Sequence, residues 1–134
     1  HTGTPGIQYY YELMLDAVNR GELDLQRAID MVAHVPAEKF ALQGVKGSLQ
    51  IGADADIVIA DMAHEWTITD DDVLSKIGWT PYAGRTISAR IDRTFVRGRE
   101  VYADGVVTGE PGYGELAVAP AARQAVTADE RNAR

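Results

Sequence analysis

Gly44-Val45-Lys46-Gly47-Ser48-Leu49-Gln50-Ile51-Gly52-Ala53-Asp54-Ala55-Asp56-Ile57-Val58-Ile59-Ala60-Asp61 is the stretch on which the fold of this chain turns. Leu49 and Ile51 alternate with polar residues, and Ile57 to Ala60 is a continuous apolar run. The first pattern predicts a half-exposed strand, the second a strand buried on both faces, with a tight acidic turn after Gly52 between them. Asp54 and Asp56, two apart, would face the same way on a strand and could share a proton or a cation. Their place beside Gly52, with no other catalytic partner near in sequence, favours turn-forming aspartates instead.

Before this stretch the pattern is helical. Thr2-Gly3-Thr4-Pro5-Gly6 predicts a turn that feeds a helix and could offer backbone N–H groups to an anion or polar ligand. Ile7, Tyr10, Tyr11, Met14, Leu15, Ala17 and Val18 then form one broad apolar face of a helix over Ile7 to Arg20, closed by Gly21. Tyr9, Tyr10 and Tyr11 cannot share one helix face, so at least one should meet a partner surface or solvent. Asp24 is a good N-cap for a second helix running to about His34. Val35-Pro36 should break that helix, and Pro36 should open a short third one to Ala41.

After the stretch the pattern is mostly β. A strand is expected at Glu65 to Thr69, then a short helix with Asp70, Asp71 and Asp72 at its positive end. That triplet lacks the spacing of a calcium loop. Residues 78–86 read as a loop with bulky aromatics, and Ile87, Ala89 and Ile91 as the inward side of a half-exposed strand. Arg97-Gly98-Arg99 predicts a turn, and Asp104-Gly105 a two-residue hairpin between Val101-Tyr102 and Val106-Val107. The Ala-rich tail from Ala117 is expected to be a loose helix or disordered. Short strands with few partners, together with a loop-like start at His1, lead us to expect a fragment of a longer protein.

At 134 residues and 46% apolar content the chain can bury one domain's core. A net charge of −7 and a pI near 4.8 argue against nucleic acid and anionic membrane surfaces as main partners. There is no apolar run long enough to span a bilayer and no signal-peptide pattern. Absence of cysteine excludes disulfides and thiolate metal sites; a cytoplasmic location fits. His1, His34 and His64 fall in no metal-ligand spacing, and Ser48, Ser75 and Ser88 in no nucleophile elbow.

Lys46 to Asp61 resembles the C-terminal signature of the amidohydrolase superfamily, K-G-x-I-x-x-G-x-D-A-D followed by a hydrophobic residue and Asp. Pro36 to Leu42 is similar to that family's N-P-A-x-x-F-G-L, with Val35 for Asn and Ala41 for Gly. Gly3 to Gln8 is similar to G-x-P-G-x-E, with Gln8 for Glu. Trp79 to Arg85 resembles the S-P-Y-x-G-R of the cyclic amidohydrolases, a branch that includes hydantoinases (dihydropyrimidinases), allantoinases and dihydroorotases. Phe95 to Tyr102 matches that branch's closing hairpin and Pro111 to Gly114 its terminal P-G-x-G. The resemblance covers residues 3–118 in order.

The resemblance implies an α/β protein: the C-terminal end of a (β/α)8 TIM barrel followed by part of a small β-sandwich. Residues 1–46 would be the last barrel helices. Residues 47–116 would be sandwich, with an inserted short helix and loop at about 70–86, and 117–134 the tail. It implies two divalent metal ions, zinc in the usual case, held by residues outside this segment. A metal-bridging hydroxide would attack a ring amide carbonyl, with an Asp before residue 1 shuttling the proton. It places Thr2 and Gly3 at the substrate, in a loop where the branch has Asn-Gly. Thr2 for Asn leaves a backbone contact available and removes the matching side chain. The implied partners are a small cyclic amide or ureide, the remainder of the chain's own barrel and sandwich, and further copies in a homodimer or homotetramer. Two other readings stand beside this one: a non-catalytic dihydropyrimidinase-like assembly protein, and an independent mixed α/β binding module.

Overall fold

The computed structural model describes residues 4–120; His1, Thr2, Gly3 and most of the 117–134 tail lie outside the described residues. The chain divides into two compact units, His1–Ala28 with Ile59–Asp92, and Ile29–Val58 with Arg93–Arg134.

In the first unit a 3-10 turn at Ile7–Tyr9 leads into α1, Tyr10–Asn19. Gly21 follows at φ +71°, with Glu22 N bonded to Ala17 O and Gly21 N to Val18 O, so α1 ends in a Schellman motif. The expected apolar face is only partly the buried one. Ile7 is 92% exposed, while Tyr9, absent from that face, is buried against Ile68 and Ile87. Leu13, Trp66 and Tyr82 pack on this cluster. A two-stranded antiparallel ladder joins β2, Trp66–Thr67, to β3, Thr86–Ile87. The expected helix after Thr69 is a single 3-10 turn, Asp70–Asp72, closed by a capping box in which Asp72 Oδ2 accepts from Thr69 N (2.8 Å) and Oγ1 (2.7 Å).

From the end of the first unit into the second, which begins at Ile29, the helical path differs from expectation. Asp24 Oδ1 caps α2, Leu25–Ile29, by accepting from Arg27 N at 3.1 Å. The chain does not break at Val35-Pro36. A π-helical turn, Asp30–His34, carries it into α3, Val35–Lys39. Proline lacks an N–H and crowds the carbonyl one turn back. The widened turn, with Val35 N bonded to Asp30 O, accommodates it without ending the helix. α3 ends in a second Schellman motif, Leu42 N to Ala37 O and Ala41 N to Glu38 O. Its left-handed residue is Ala41, at φ +54°. This is the position where the resembled motif has glycine, and alanine holds it at a cost of about 1 kcal/mol.

Leu49 and Ile51 form no strand. Residues 47–56 run through turns, with Ala53 N on Gln50 O and Asp54 N on Val45 O, and the two side chains are 82% and 107% exposed. Alternation alone cannot make a strand without a ladder partner, and none lies beside this stretch among the described residues. The apolar run does become β1, Ile57–Asp61. It is not buried on both faces, because it is an edge strand and leaves Val58 and Ile59 exposed. β4 is Arg90–Val96, β5 is Arg99–Ala103 and β6 is Val106–Val107, and the sheet order is β1-β4-β5-β6. Both β4–β5 and β5–β6 are antiparallel hairpins: the first turns at Arg97-Gly98, φ +48° and +78°, within the expected turn whose Arg99 already belongs to β5, and the second at the expected dipeptide Asp104-Gly105, φ +50° and +88°. Two successive positive φ angles are the type I′ geometry that matches strand twist.

Candidate functional site

The side chains that tie the start of the chain to distant segments are built on and just before α1. Four polar side chains, Gln8, Glu12, Asp16 and Asn19, recur at helical spacing down one side, and each bonds to backbone far away in sequence. Gln8 bridges two groups: its Nε2 donates to Asp72 O at 2.7 Å, and its Oε1 accepts from Leu74 N at 3.0 Å. Glu12 accepts from Ile91 N at 3.2 Å. Asp16 accepts from Ser88 N (3.1 Å) and Oγ (3.3 Å) and pairs with Arg20 and with Arg85 (3.3 Å). Asn19 Nδ2 donates to Met62 O (2.6 Å) and Ser88 O (2.7 Å). Glu12 and Asp16 are buried, at 7% and 3% exposure, whereas an apolar-face reading treats them as the solvent side.

This stripe explains a break in the expected strand over Ile87, Ala89 and Ile91. The Asp16 carboxylate captures the N–H and hydroxyl of Ser88, and the ladder resumes only at Arg90. Burial pushes the Glu12 carboxyl above its ordinary range. The Ile91 N–H and the Arg90 charge oppose the rise and do not cancel it, and Asp72 adds to it. A carboxyl raised on folding binds its proton more tightly in the folded state. Stability therefore falls as pH climbs from about 4.3, the free Glu value, through the raised folded value. The substitution Glu12→Gln would keep an acceptor for Ile91 N and lose that titration. Urea unfolding of the full-length protein across this acidic range should show wild type losing stability relative to Glu12→Gln as pH rises; parallel pH curves would refute the assignment.

The described part of the expected substrate loop is Thr4-Pro5-Gly6, where Gly6 N bonds to Thr4 O at 2.9 Å. Thr2 and Gly3, the two expected substrate contacts, lie outside the described residues. Gly6 packs against Tyr82, and a Cβ there would lie 3.3 Å from Tyr82 Oη. Two segments that carry the resemblance, Gly3–Gln8 and Trp79–Arg85, are thus in contact. Tyr82 in turn meets the buried Tyr9 edge-on, with ring centroids 6.3 Å apart at 84°. Gln8 and Tyr82 were legible as motif letters; that they hold one loop from two sides was not.

The Asp54–Asp56 pair is a structural clamp. Lys46 Nζ lies 2.9 Å from Asp54 Oδ2 and also binds Asp56 Oδ2, while Asp56 Oδ1 accepts from Arg97 N at 2.8 Å. Burial alone would lower the Lys46 ammonium. The hydrogen bonds and charges of Asp56 and Asp54 outweigh it, and the pKa is raised. A lysine occupies the place a cation would take. Among the described residues no group of three or more His, Asp or Glu could hold a metal ion. His34 ends the π-helical turn and is exposed, and His64 is half-buried in the turn before β2.

A model of the amidohydrolase family matches residues 7–107. The dihydroorotase of Pyrococcus furiosus is 38% identical over 109 residues, which cover 81% of this chain and 26% of that protein. The D-hydantoinase of Streptomyces coelicolor is 33% identical over 112 residues, 84% of this chain and 24% of that protein. The L-hydantoinase (dihydropyrimidinase) from Arthrobacter aurescens superposes with a TM-score of 0.83 at 31% identity, over 87% of this chain and 26% of that one. The chain spans about a quarter of the length of the relatives it matches.

Proposed function

We propose, since this chain belongs to the amidohydrolase family and within it to the cyclic amidohydrolase branch, that it is the C-terminal part of a hydrolase that opens the amide bond of a cyclic amide or ureide ring. The observation that carries this is the superposition on the Arthrobacter aurescens hydantoinase across 87% of the chain. In this reading residues 1–46 end a (β/α)8 barrel and residues 47–116 belong to a β-sandwich. The other three quarters of the protein would cover apolar side chains that stand bare here, among them Ile7, Phe40, Leu49 and Ile51 at 92%, 74%, 82% and 107% exposure. In our reading two divalent ions, zinc in the usual case, are held by residues outside this segment; among the described residues no group of three or more His, Asp or Glu could hold a metal ion. What this chain contributes is the loop through Thr2 and Gly3, fixed on its described side at Gly6 and Gln8. A cytoplasmic homodimer or homotetramer completes the proposal; among the described residues no helix is long and apolar enough to cross a membrane.

Dihydroorotate is the second substrate reading, favoured by the higher identity to the Pyrococcus dihydroorotase than to the Streptomyces hydantoinase, 38% against 33%. Elemental analysis of the full-length protein, with ring-opening assays on hydantoin, allantoin and dihydroorotate, decides. Two divalent ions per chain and turnover of one ring are expected. A protein with neither would be a non-catalytic relative.

A further inference from the structure

We propose that Asp70 to Tyr82 is a brace that sets the position of Thr4-Pro5-Gly6, the described part of the expected substrate loop, with Gln8 and Tyr82 as its positioning residues; this rests on reading that loop as substrate-binding. The contacts close a circuit. Gln8 ties the end of the loop to Asp72 O and Leu74 N, at 2.7 and 3.0 Å. The turn it grips is fixed by the Thr69–Asp72 capping box. Asp70 Oδ1 accepts from Thr80 N at 2.9 Å, which folds the segment back on itself, and Thr80 is only 5% exposed. Thr80 Oγ1 accepts from Tyr82 N at 3.3 Å, and the Tyr82 hydroxyl lies against Gly6, the loop's last residue.

Gly6 shows that the fit is steric. Its φ of −111° and ψ of −9° suit any residue, so glycine is not needed there for backbone freedom. What it leaves is space: a Cβ would lie 3.3 Å from Tyr82 Oη, so either the loop or the Tyr82 ring must give by a few tenths of an ångström. If the brace sets the loop, an added methyl at residue 6 displaces the loop, and removal of the Tyr82 hydroxyl lets it return.

The test uses the full-length protein and whichever of hydantoin, allantoin or dihydroorotate it opens. Gly6→Ala and Gln8→Ala should each raise KM about tenfold with kcat within about twofold, since misplaced contacts cost binding before chemistry. Gly6→Ala combined with Tyr82→Phe should bring KM back to within about twofold of Tyr82→Phe alone. A residue that merely supports the fold would lower melting temperature and leave KM in place. Unchanged KM in Gly6→Ala, or no recovery in the double variant, overturns the brace. If the protein opens none of the three rings, the functional reading fails and the brace is judged by hydrogen exchange. Backbone amides of residues 4–9 should then exchange faster in Gln8→Ala and Gly6→Ala, and Tyr82→Phe should reverse the latter. Exchange equal to wild type overturns it.

Discussion

Gly47→Ala is expected to destabilise the protein by more than about 3 kcal/mol, read as a lower urea midpoint of the full-length chain. Two costs combine. Gly47 sits at φ +83°, in the left-handed region where a Cβ costs about 1–2 kcal/mol. In addition, the new Cβ would lie 2.5 Å from Ala37 Cβ and 2.8 Å from Ala33 O. Ala33 O is backbone of the π-helical turn, so the contact is relieved only by moving the helix. Gly52 provides the comparison. It has φ +95°, and an added methyl there would meet nothing within 4 Å, so Gly52→Ala should cost only the backbone strain, about 1–2 kcal/mol. Equal losses at the two positions would show that helix contact plays no part.

Asp16→Ala is expected to cost about 3–5 kcal/mol, the range found when one partner of a buried charged network is removed. The carboxylate is 4% exposed and satisfies Ser88 N, Ser88 Oγ, Arg20 and Arg85 together. Alanine leaves the Ser88 N–H without its acceptor and takes the Asp16 anion from Arg85 and from Arg20, which keeps Glu22. Arg20→Ala isolates the exposed part of the network. With Arg20 and its second partner Glu22 exposed, its loss should lower the unfolding midpoint far less than Asp16→Ala does. A loss below about 1 kcal/mol for Asp16→Ala, by thermal or urea unfolding, would mean the stripe on α1 does not hold the β3–β4 segment.

Local chemistry was legible. Asp24 caps where a cap was expected, Gly21 closes α1, and Asp104-Gly105 turns the hairpin, because each depends on a few neighbouring dihedrals. Pro36 misled for an instructive reason. The preference of its predecessor is a local average that Val35 overrides at φ −63° and ψ −42°, and the π-helical turn makes room for the proline ring instead. Leu49 and Ile51 misled because period-two alternation describes a strand's faces without supplying a ladder. The polar stripe of α1 did carry a signal, the spacing of Gln8, Glu12, Asp16 and Asn19. Polar groups at helical spacing ordinarily mark the solvent side, and only their partners show otherwise.

The sequence by itself determined the change from helix to β along the chain, the Asp24 cap, the Gly21 stop and the hairpin turns, and, through the motif from Lys46 to Asp61, the family. Those properties live within windows of a few residues to a few turns. Tertiary structure decided what the motif letters are for. Lys46 pairs with both Asp54 and Asp56, and Gly47 makes room for the helix at Ala33 and Ala37. Glu12 and Asp16 are buried because their acceptor oxygens meet Ile91 and Ser88, 79 and 72 residues along the chain. No local preference reports a partner at that distance. Burial and hydrogen-bond satisfaction are set by what the fold brings near, and the same carboxylate would be solvated without it.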